Sequence, residues 1–280
     1  MSEQRGAIVT GGNTGIGLQT SKELAKKGFH VIIGVRSDDK GKAAVKEIQT
    51  ASNNSKVEYI LDLDDLQSVR KFADSFRSKN VALHVLINNA GIMALPYEKT
   101  KDGFERQFQV NHLGHFLLTL LLLDILKKSS PSRIINVSSR AHLRWQKPIE
   151  YEAFCTEYES NYDTWAAYGR SKLANILFTY ELHRRLNSTN FSGVSVYALH
   201  PGLVDTQLLT NANATFGSTI TAEEGAKTSI FLASADPAPT SGGYFFECKP
   251  TNSTEISYSL QEGKKLWDYS IQWTNAPSNY

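Results

Sequence analysis

The chain has 280 residues, 41% of them hydrophobic and 10% aromatic, and 30 basic against 28 acidic side chains leave a formal charge of +2. That balance excludes a disordered chain, which would carry fewer apolar residues and more net charge, and it gives no basic surplus to suggest a nucleic-acid partner. With Cys155 and Cys248 as its only cysteines, the chain is no disulfide scaffold.

Apolar, β-rich runs alternate with amphipathic periods almost from the first residue. Strands are predicted over residues 7–10, 30–35, 57–61, 83–88, 133–138, 193–199 and 243–247. Helices are predicted over 16–27, 39–49 (with Asp38 and Asp39 as caps), 66–77, 101–127, 164–186 and 222–233. The unbroken apolar triplets Val31-Ile32-Ile33 and Val85-Leu86-Ile87 fit strands buried on both faces. Together these elements predict one α/β domain over residues 1–280. Its architecture is a Rossmann-type doubly wound parallel sheet of about seven strands with helices on both faces. Segment 143–163 is polar and aromatic without a period, 206–221 reads as a mobile loop or lid, and the tail 250–280 holds a short helix around 262–270. Met1–Gly6 leaves no room for a signal peptide, and the apolar run 116–126 is shorter than the roughly 20 residues a bilayer requires. The expectation is a cytoplasmic chain without a transmembrane segment.

The first strand runs directly into Thr10-Gly11-Gly12-Asn13-Thr14-Gly15-Ile16-Gly17 and then a helix. Glycines permit a sharp turn and close approach of backbone to a ligand, and helix N-terminal amides favour a phosphate. A tight strand-to-helix turn alone would also use glycines. The position at the end of the first strand of an α/β chain favours a dinucleotide. The second strand closes on Gly34-Val35-Arg36 with no acid to hold a ribose hydroxyl. Arg36, assisted by Lys40, suits a 2′-phosphate, which favours NADP(H) over NAD, although a strand-end arginine can simply be solvated.

Tyr168 and Lys172 are spaced to share one face of the long helix 164–186. An ammonium beside a phenol lowers the phenol pKa, so Tyr168 becomes a candidate proton donor or acceptor. Tyr97 and Lys101 have the same spacing but lie in the polar connection 96–103. Ser138 and Ser139 follow the strand 133–138, where a hydroxyl could polarise a substrate oxygen or merely shape the turn. His112 and His115 lack a thiolate or acidic partner at matching spacing, so no metal site is expected. No Gly-x-Ser-x-Gly elbow suggests a hydrolase.

In this order, Thr10–Gly17, Asp62-Leu63, Asn88-Asn89-Ala90-Gly91, Asn111, Ser138-Ser139, Tyr168-x-x-x-Lys172 and Pro201-Gly202 resemble the single-domain branch of the short-chain dehydrogenase/reductase superfamily, over about residues 5–248. Asn111-His112-Leu113-Gly114-His115-Phe116, Ser171-Lys172-Leu173-Ala174-Asn175 and Gly243-Tyr244-Phe245 resemble its retinol dehydrogenase and WW-domain oxidoreductase group. The resemblance implies a catalytic set of Asn111, Ser139, Tyr168 and Lys172, with Asn111 supporting a water-linked proton relay. It implies cofactor contacts at Gly11, Asn13, Thr14, Gly15, Ile16 and Gly17, at Asp62 and Leu63 for adenine, and at Asn89, Ala90 and Gly91 for ribose. Tyr168 and Lys172 would also meet the cofactor, and Pro201, Gly202, Val204 and Thr206 would brace the nicotinamide and its phosphate. The implied substrate is a lipophilic carbonyl or alcohol, retinal-like or another aldehyde or ketone. His142, Trp145, Tyr158 and Trp165 would form either its entrance or ordinary packing. A non-catalytic dinucleotide sensor or scaffold is the alternative, and self-association is left open.

Overall fold

The computed structural model describes residues 4–61, 65–151, 162–189, 191, 193–212 and 217–278. Its strands are β1 (Gly6–Thr10), β2 (His30–Val35), β3 (Val57–Leu61), β4 (Val85–Asn88), β5 (Ser132–Val137), β6 (Val194–Leu199), β7 (Gly243–Phe246) and β8 (Lys249–Pro250). They form one sheet in the order β3-β2-β1-β4-β5-β6-β7-β8. Neighbours are parallel as far as β7, and only the short β8 runs antiparallel, against β7. The sheet thus has eight strands where about seven are predicted. The two-residue β8 follows a turn in which Glu247 and Cys248 take positive φ, too short an element to leave a periodic signature.

Helices cover both faces: α1 (Gly15–Lys26), α2 (Asp38–Ser52), α3 (Leu66–Ser78), α4 (Arg106–Phe108), α5 (Gly114–Lys128), α6 (Thr164–Ser188), α7 (Gln207–Asn211), α8 (Ala222–Ser234) and α9 (Leu260–Thr274). Successive strand residues divide between two cores. Ala7 and Val9 join a cluster with Leu24, Ala44 and Leu232 from α1, α2 and α8. Ile8 joins the opposite one with Phe72, Phe116 and Phe178 from α3, α5 and α6. Period-two alternation on a sheet buried on both faces explains why the strands read as continuous apolar runs.

Four predicted elements change. The cap of α2 is Ser37, whose hydroxyl accepts from the Lys40 amide, while Asp38 and Asp39 lie in the first turn and favour the helix through its dipole. The helix predicted from 101 starts at Arg106, because Gly103 takes φ +91° and the Glu105 carboxylate caps the Gln107 and Phe108 amides. It then passes through a π-helical segment, Gln109–Leu113, before α5. The loop 206–221 contains α7. The tail helix spans 15 residues rather than about nine, and Trp267 fills a notch between Phe116 and Phe178 at ring-centroid distances of 5.1 and 6.0 Å. The helical stretch Arg106–Lys128 is, by length and composition, long and apolar enough to cross a membrane, which the shorter run 116–126 did not suggest; 83% of its most apolar 18 residues are buried inside the fold.

Candidate active site

The strand order reverses between β1 and β4, and the connections leaving the C-terminal ends of these two strands open the crevice where doubly wound sheets bind nucleotides. Gly11 and Gly15 take φ +65° and +52°, the left-handed region a β-carbon disfavours. At Gly17 a β-carbon would stand 2.3 Å from the Gly11 carbonyl oxygen and 2.6 Å from Asn89 Nδ2. Thr14 ends the turn in an extended conformation, and its side chain makes no capping bond to the α1 amides. The Gly11 amide donates to the Gly34 carbonyl, fixing the turn beside the end of β2, where Arg36 and Lys40 are exposed. Thr206 lies against Gly15, and Val204 and Ile16 pack around Gly225, so segment 201–206, with Gly202 at φ +91°, closes the other side. These features fit a dinucleotide: a glycine cradle, open helix amides and a basic strand end. Asn13 and Thr14 lie within the turn, while Pro201 and Gly202 follow the end of β6, with Gly202 against Ile220 and Phe246. Asp62 and Leu63 lie outside the described residues.

Thr10 organises the crevice, a role that sequence reading assigned only to its glycine neighbours. Its hydroxyl accepts from the Asn89 and Ala90 amides at 2.8 and 2.9 Å and sits 2.9 Å from His115 Nε2, while Asn89 Nδ2 donates to the Thr10 carbonyl. His115 Nδ1 lies 3.1 Å from the Asn111 carbonyl, which can only accept. The ring therefore carries its proton on Nδ1, and Thr10 donates to Nε2. Burial pulls the His115 pKa down to about 4, keeping it neutral. A chain of hydrogen bonds thus runs from the loop 89–91 through β1 to the π-helical segment.

That segment presents Asn111, fully buried. Its Oδ1 accepts from the Ile92 amide, and its Nδ2 donates to the Ile92 carbonyl and to Ser171 Oγ, each at 2.9 Å. Asn111 Oδ1 and Lys172 Nζ both border Gly91, where a β-carbon would meet them at 3.1 and 3.5 Å.

Asp163 caps α6 by accepting from the Trp165 and Ala166 amides, and the helix carries Tyr168 and Lys172 past the end of β5. The two serines separate in role. Ser138 donates to the Lys172 carbonyl at 2.7 Å, and Lys172 Nζ returns a bond to the Val137 carbonyl at 3.1 Å. Ser139 instead hydrogen-bonds the Tyr168 phenol, and its Oγ also accepts from the Ala141 amide. The Lys172 ammonium lies over the Tyr168 ring, 5.6 Å from its centroid. Contrary to the expected depression, Tyr168 is pushed up to about 12, since burial outweighs the Ser139 hydrogen bond. Burial also pulls Lys172 down to about 8.

The aromatic segment beyond Ser139 divides. Trp145 is buried, with its ring 4.8 Å from the Arg170 guanidinium, so it serves packing. Trp165 meets Tyr168 edge-on at 6.2 Å, beside the site. His142 packs edge-on to Tyr244 and hydrogen-bonds the Ser139 carbonyl. Tyr158 lies outside the described residues. His112 is enclosed by Phe108, Phe116 and Phe178 and lies 3.0 Å from Ser270 Oγ. Among the described residues no group of three or more His, Cys, Asp or Glu could hold a metal ion.

Comparison with known proteins agrees with this architecture. Residues 5–153 match the family model described as short chain dehydrogenase. The chain is 43% identical to retinol dehydrogenase 12 of Mus musculus, across 95% of this chain and 86% of that protein. It is 41% identical to polyprenol dehydrogenase of Homo sapiens, across 96% and 85%. A crystal structure of a putative uncharacterized protein from Mycobacterium paratuberculosis superposes with a TM-score of 0.81 at 39% identity, covering 99% of this chain and 96% of that one. The chain belongs to the short-chain dehydrogenase/reductase family, within its retinol dehydrogenase group.

Proposed function

We propose that this protein is an NADP(H)-dependent oxidoreductase that interconverts a lipophilic carbonyl and its alcohol, with Tyr168 as proton donor or acceptor. The observation that carries this reading is the convergence of Ser139, Tyr168 and Lys172 at the C-terminal ends of β5 and the adjoining α6 face, beside the glycine cradle. When bound, the nicotinamide supplies or takes the hydride. The chain's own residues manage the proton and the geometry. Ser139 hydrogen-bonds the phenol and is placed to share the substrate oxygen with it. At neutral pH a phenol held near pKa 12 keeps its proton, the form a donor to a carbonyl requires. Lys172, with a pKa of about 8, keeps positive charge beneath the ring at neutral pH. Asn111 braces the loop after β4 and the start of α6.

Arg36 at the open end of β2 supports the choice of NADP(H), since its planar donors suit a 2′-phosphate. The relatives named for retinol and polyprenol support a long apolar substrate. NADPH and NADH titrations, followed by NADPH absorbance with a panel of retinal, medium-chain aldehydes and aromatic ketones, test the reading. Tighter binding of NADPH and turnover of the longer carbonyls are expected. Tighter binding of NADH removes the Arg36 argument, and no turnover of any carbonyl or alcohol favours a dinucleotide-binding sensor.

A further inference from the structure

The turn Arg140–Arg144 that follows Ser139 is a 3-10 helix, and its contacts reach a distant part of the chain. His142 Nδ1 lies 2.7 Å from the Ser139 carbonyl, while the Thr254 amide donates to His142 Nε2 at 3.2 Å. An amide N–H can only donate and a carbonyl can only accept. The imidazole is therefore neutral, with its proton on Nδ1 and a bare Nε2. The Ser139 carbonyl receives a second bond from the His142 amide at 3.1 Å, and Ser139 Oγ receives one from the Ala141 amide. Every polar atom that orients Ser139 toward Tyr168 on this side thus belongs to one short turn, and one side chain of that turn is held by the C-terminal tail.

The tail is itself fixed at this point. Ser253 Oγ contacts Tyr180 Oη at 2.9 Å, the Thr251 amide donates to the Tyr244 carbonyl, and Tyr258 stacks on Tyr180 at 5.3 Å. Tyr244 meets the other side of the His142 ring edge-on at 5.3 Å. Helix α6 packs directly on the same turn: a β-carbon at Gly169 would stand 2.5 Å from the Ala141 carbonyl. The turn cannot move without moving α6 and the tail.

We infer that His142 is a positioning residue, which holds Ser139 in register with Tyr168 through its Nδ1–H and is itself locked in that tautomer by the Thr254 amide of the tail. The inference rests on the reading of Ser139 and Tyr168 as the proton-handling pair. It gives the C-terminal segment a part in turnover although it touches neither residue.

The two imidazole nitrogens can be replaced one at a time. His142→Asn places an amide nitrogen where Nδ1 stands and keeps the tie to Ser139. His142→Gln places a carbonyl oxygen near Nε2 and keeps the tie to Thr254 only. Thr254→Pro removes the donated N–H at a residue whose φ of −64° already suits proline. With the full-length protein and one substrate from the panel, His142→Gln and His142→Ala are expected to lower kcat by about tenfold or more, since a misplacement near 1 Å costs rates of that size or beyond. Dinucleotide Kd should stay within about threefold. His142→Asn should recover kcat to within about threefold of the parent, and Thr254→Pro should lower it while leaving Ser139 chemically untouched. Long-range nitrogen–proton spectra of the parent should show the Nδ1–H tautomer at His142. Equal losses in the Asn and Ala variants overturn the inference, as does an Nε2–H tautomer or kcat unchanged in Gln and Ala. Tyr168→Phe run in parallel separates the two ideas. If it retains full turnover, the proposed function fails; if it alone is inactive, only the role of His142 fails.

Discussion

The glycine cradle and the Tyr168 site lie at the same edge of the sheet but are built from different materials. The cradle is backbone: two glycines at positive φ, a third where no β-carbon fits, and open amides at the start of α1. Side chains of Thr10 and Asn89 tie it to the loop after β4, and Thr206 closes it from the far side of the sequence. The Tyr168 site is made of buried side chains whose charge is controlled by desolvation, and it draws on β5, α6, the 3-10 turn and the tail. The cradle can therefore be damaged by adding an atom, and the second site by altering a charge or a distant partner.

The largest expected effect falls on the second region. Tyr168→Phe removes one oxygen from a buried position and should reduce turnover by about 10²- to 10⁴-fold, the range for a positioned acid or base. Calorimetry should show dinucleotide affinity within about threefold of the parent, because the cradle stands on other elements. If affinity collapses together with turnover, the two regions are not separable and the contrast fails.

Gly17→Ala is the matching test of the cradle. The added carbon meets the Gly11 carbonyl and Asn89 Nδ2, so the turn must open. We expect dinucleotide binding to weaken at least about tenfold and stability to fall by about 1–3 kcal/mol, as overpacking commonly costs. Gly28→Ala is the control, since that glycine has φ +83° but nothing within 4 Å of an added carbon. It should cost about 1–2 kcal/mol through backbone strain and leave binding intact. Equal loss of binding in both variants would show that the cradle's close packing is not what matters.

The same division explains what could be read from the sequence. The strands, the glycine turn and the Tyr168–Lys172 spacing announce themselves through local pattern, because each sits at a strand end or on one helix face, whereas Ser139 is told from Ser138 only by the family resemblance. The π-helical segment left no such mark: nothing in the order Gln109-Val110-Asn111-His112-Leu113 distinguishes a π turn from an α turn, and only the geometry shows the wider turn carrying Asn111. Nor did the buried polar ladder from Thr119 through Asn88 and Asn136 to Thr179, which joins α5, β4, β5 and α6. Asn136, an isolated polar residue in an apolar strand, accepts a cross-strand bond from Asn88 in the fold. His142 and Thr254 are equally silent, because a hydrogen bond between residues 112 positions apart has no sequence period. The direction of the Tyr168 shift failed for a related reason: spacing places the ammonium near the ring, but burial, a property of the whole fold, decides the sign.

A further effect concerns stability and has the opposite sign from most substitutions. Lys172 is 3% exposed, and burial pulls its pKa from 10.5 to about 8. Below pH 8 the folded and unfolded chains both hold the proton, so the full cost of burying the charge is present. Between pH 8 and 10.5 the unfolded chain binds a proton that the folded chain does not, and stability rises with pH; above 10.5 the cost is gone. Lys172→Met fills similar volume without the charge, and the Val137 carbonyl keeps a bond from Asn175 Nδ2 at 3.2 Å. The variant should therefore be more stable than the parent by about 1–3 kcal/mol at pH 7. Its advantage should shrink toward zero by pH 10.5, while turnover is lost at every pH. Urea unfolding of both proteins at the two pH values measures this directly. A variant less stable than the parent at pH 7 would mean that the bond to Val137 and the contact with the Tyr168 ring outweigh desolvation. The second region would then be held together by its charge, where the buried ammonium now reads as a cost that the fold carries for turnover.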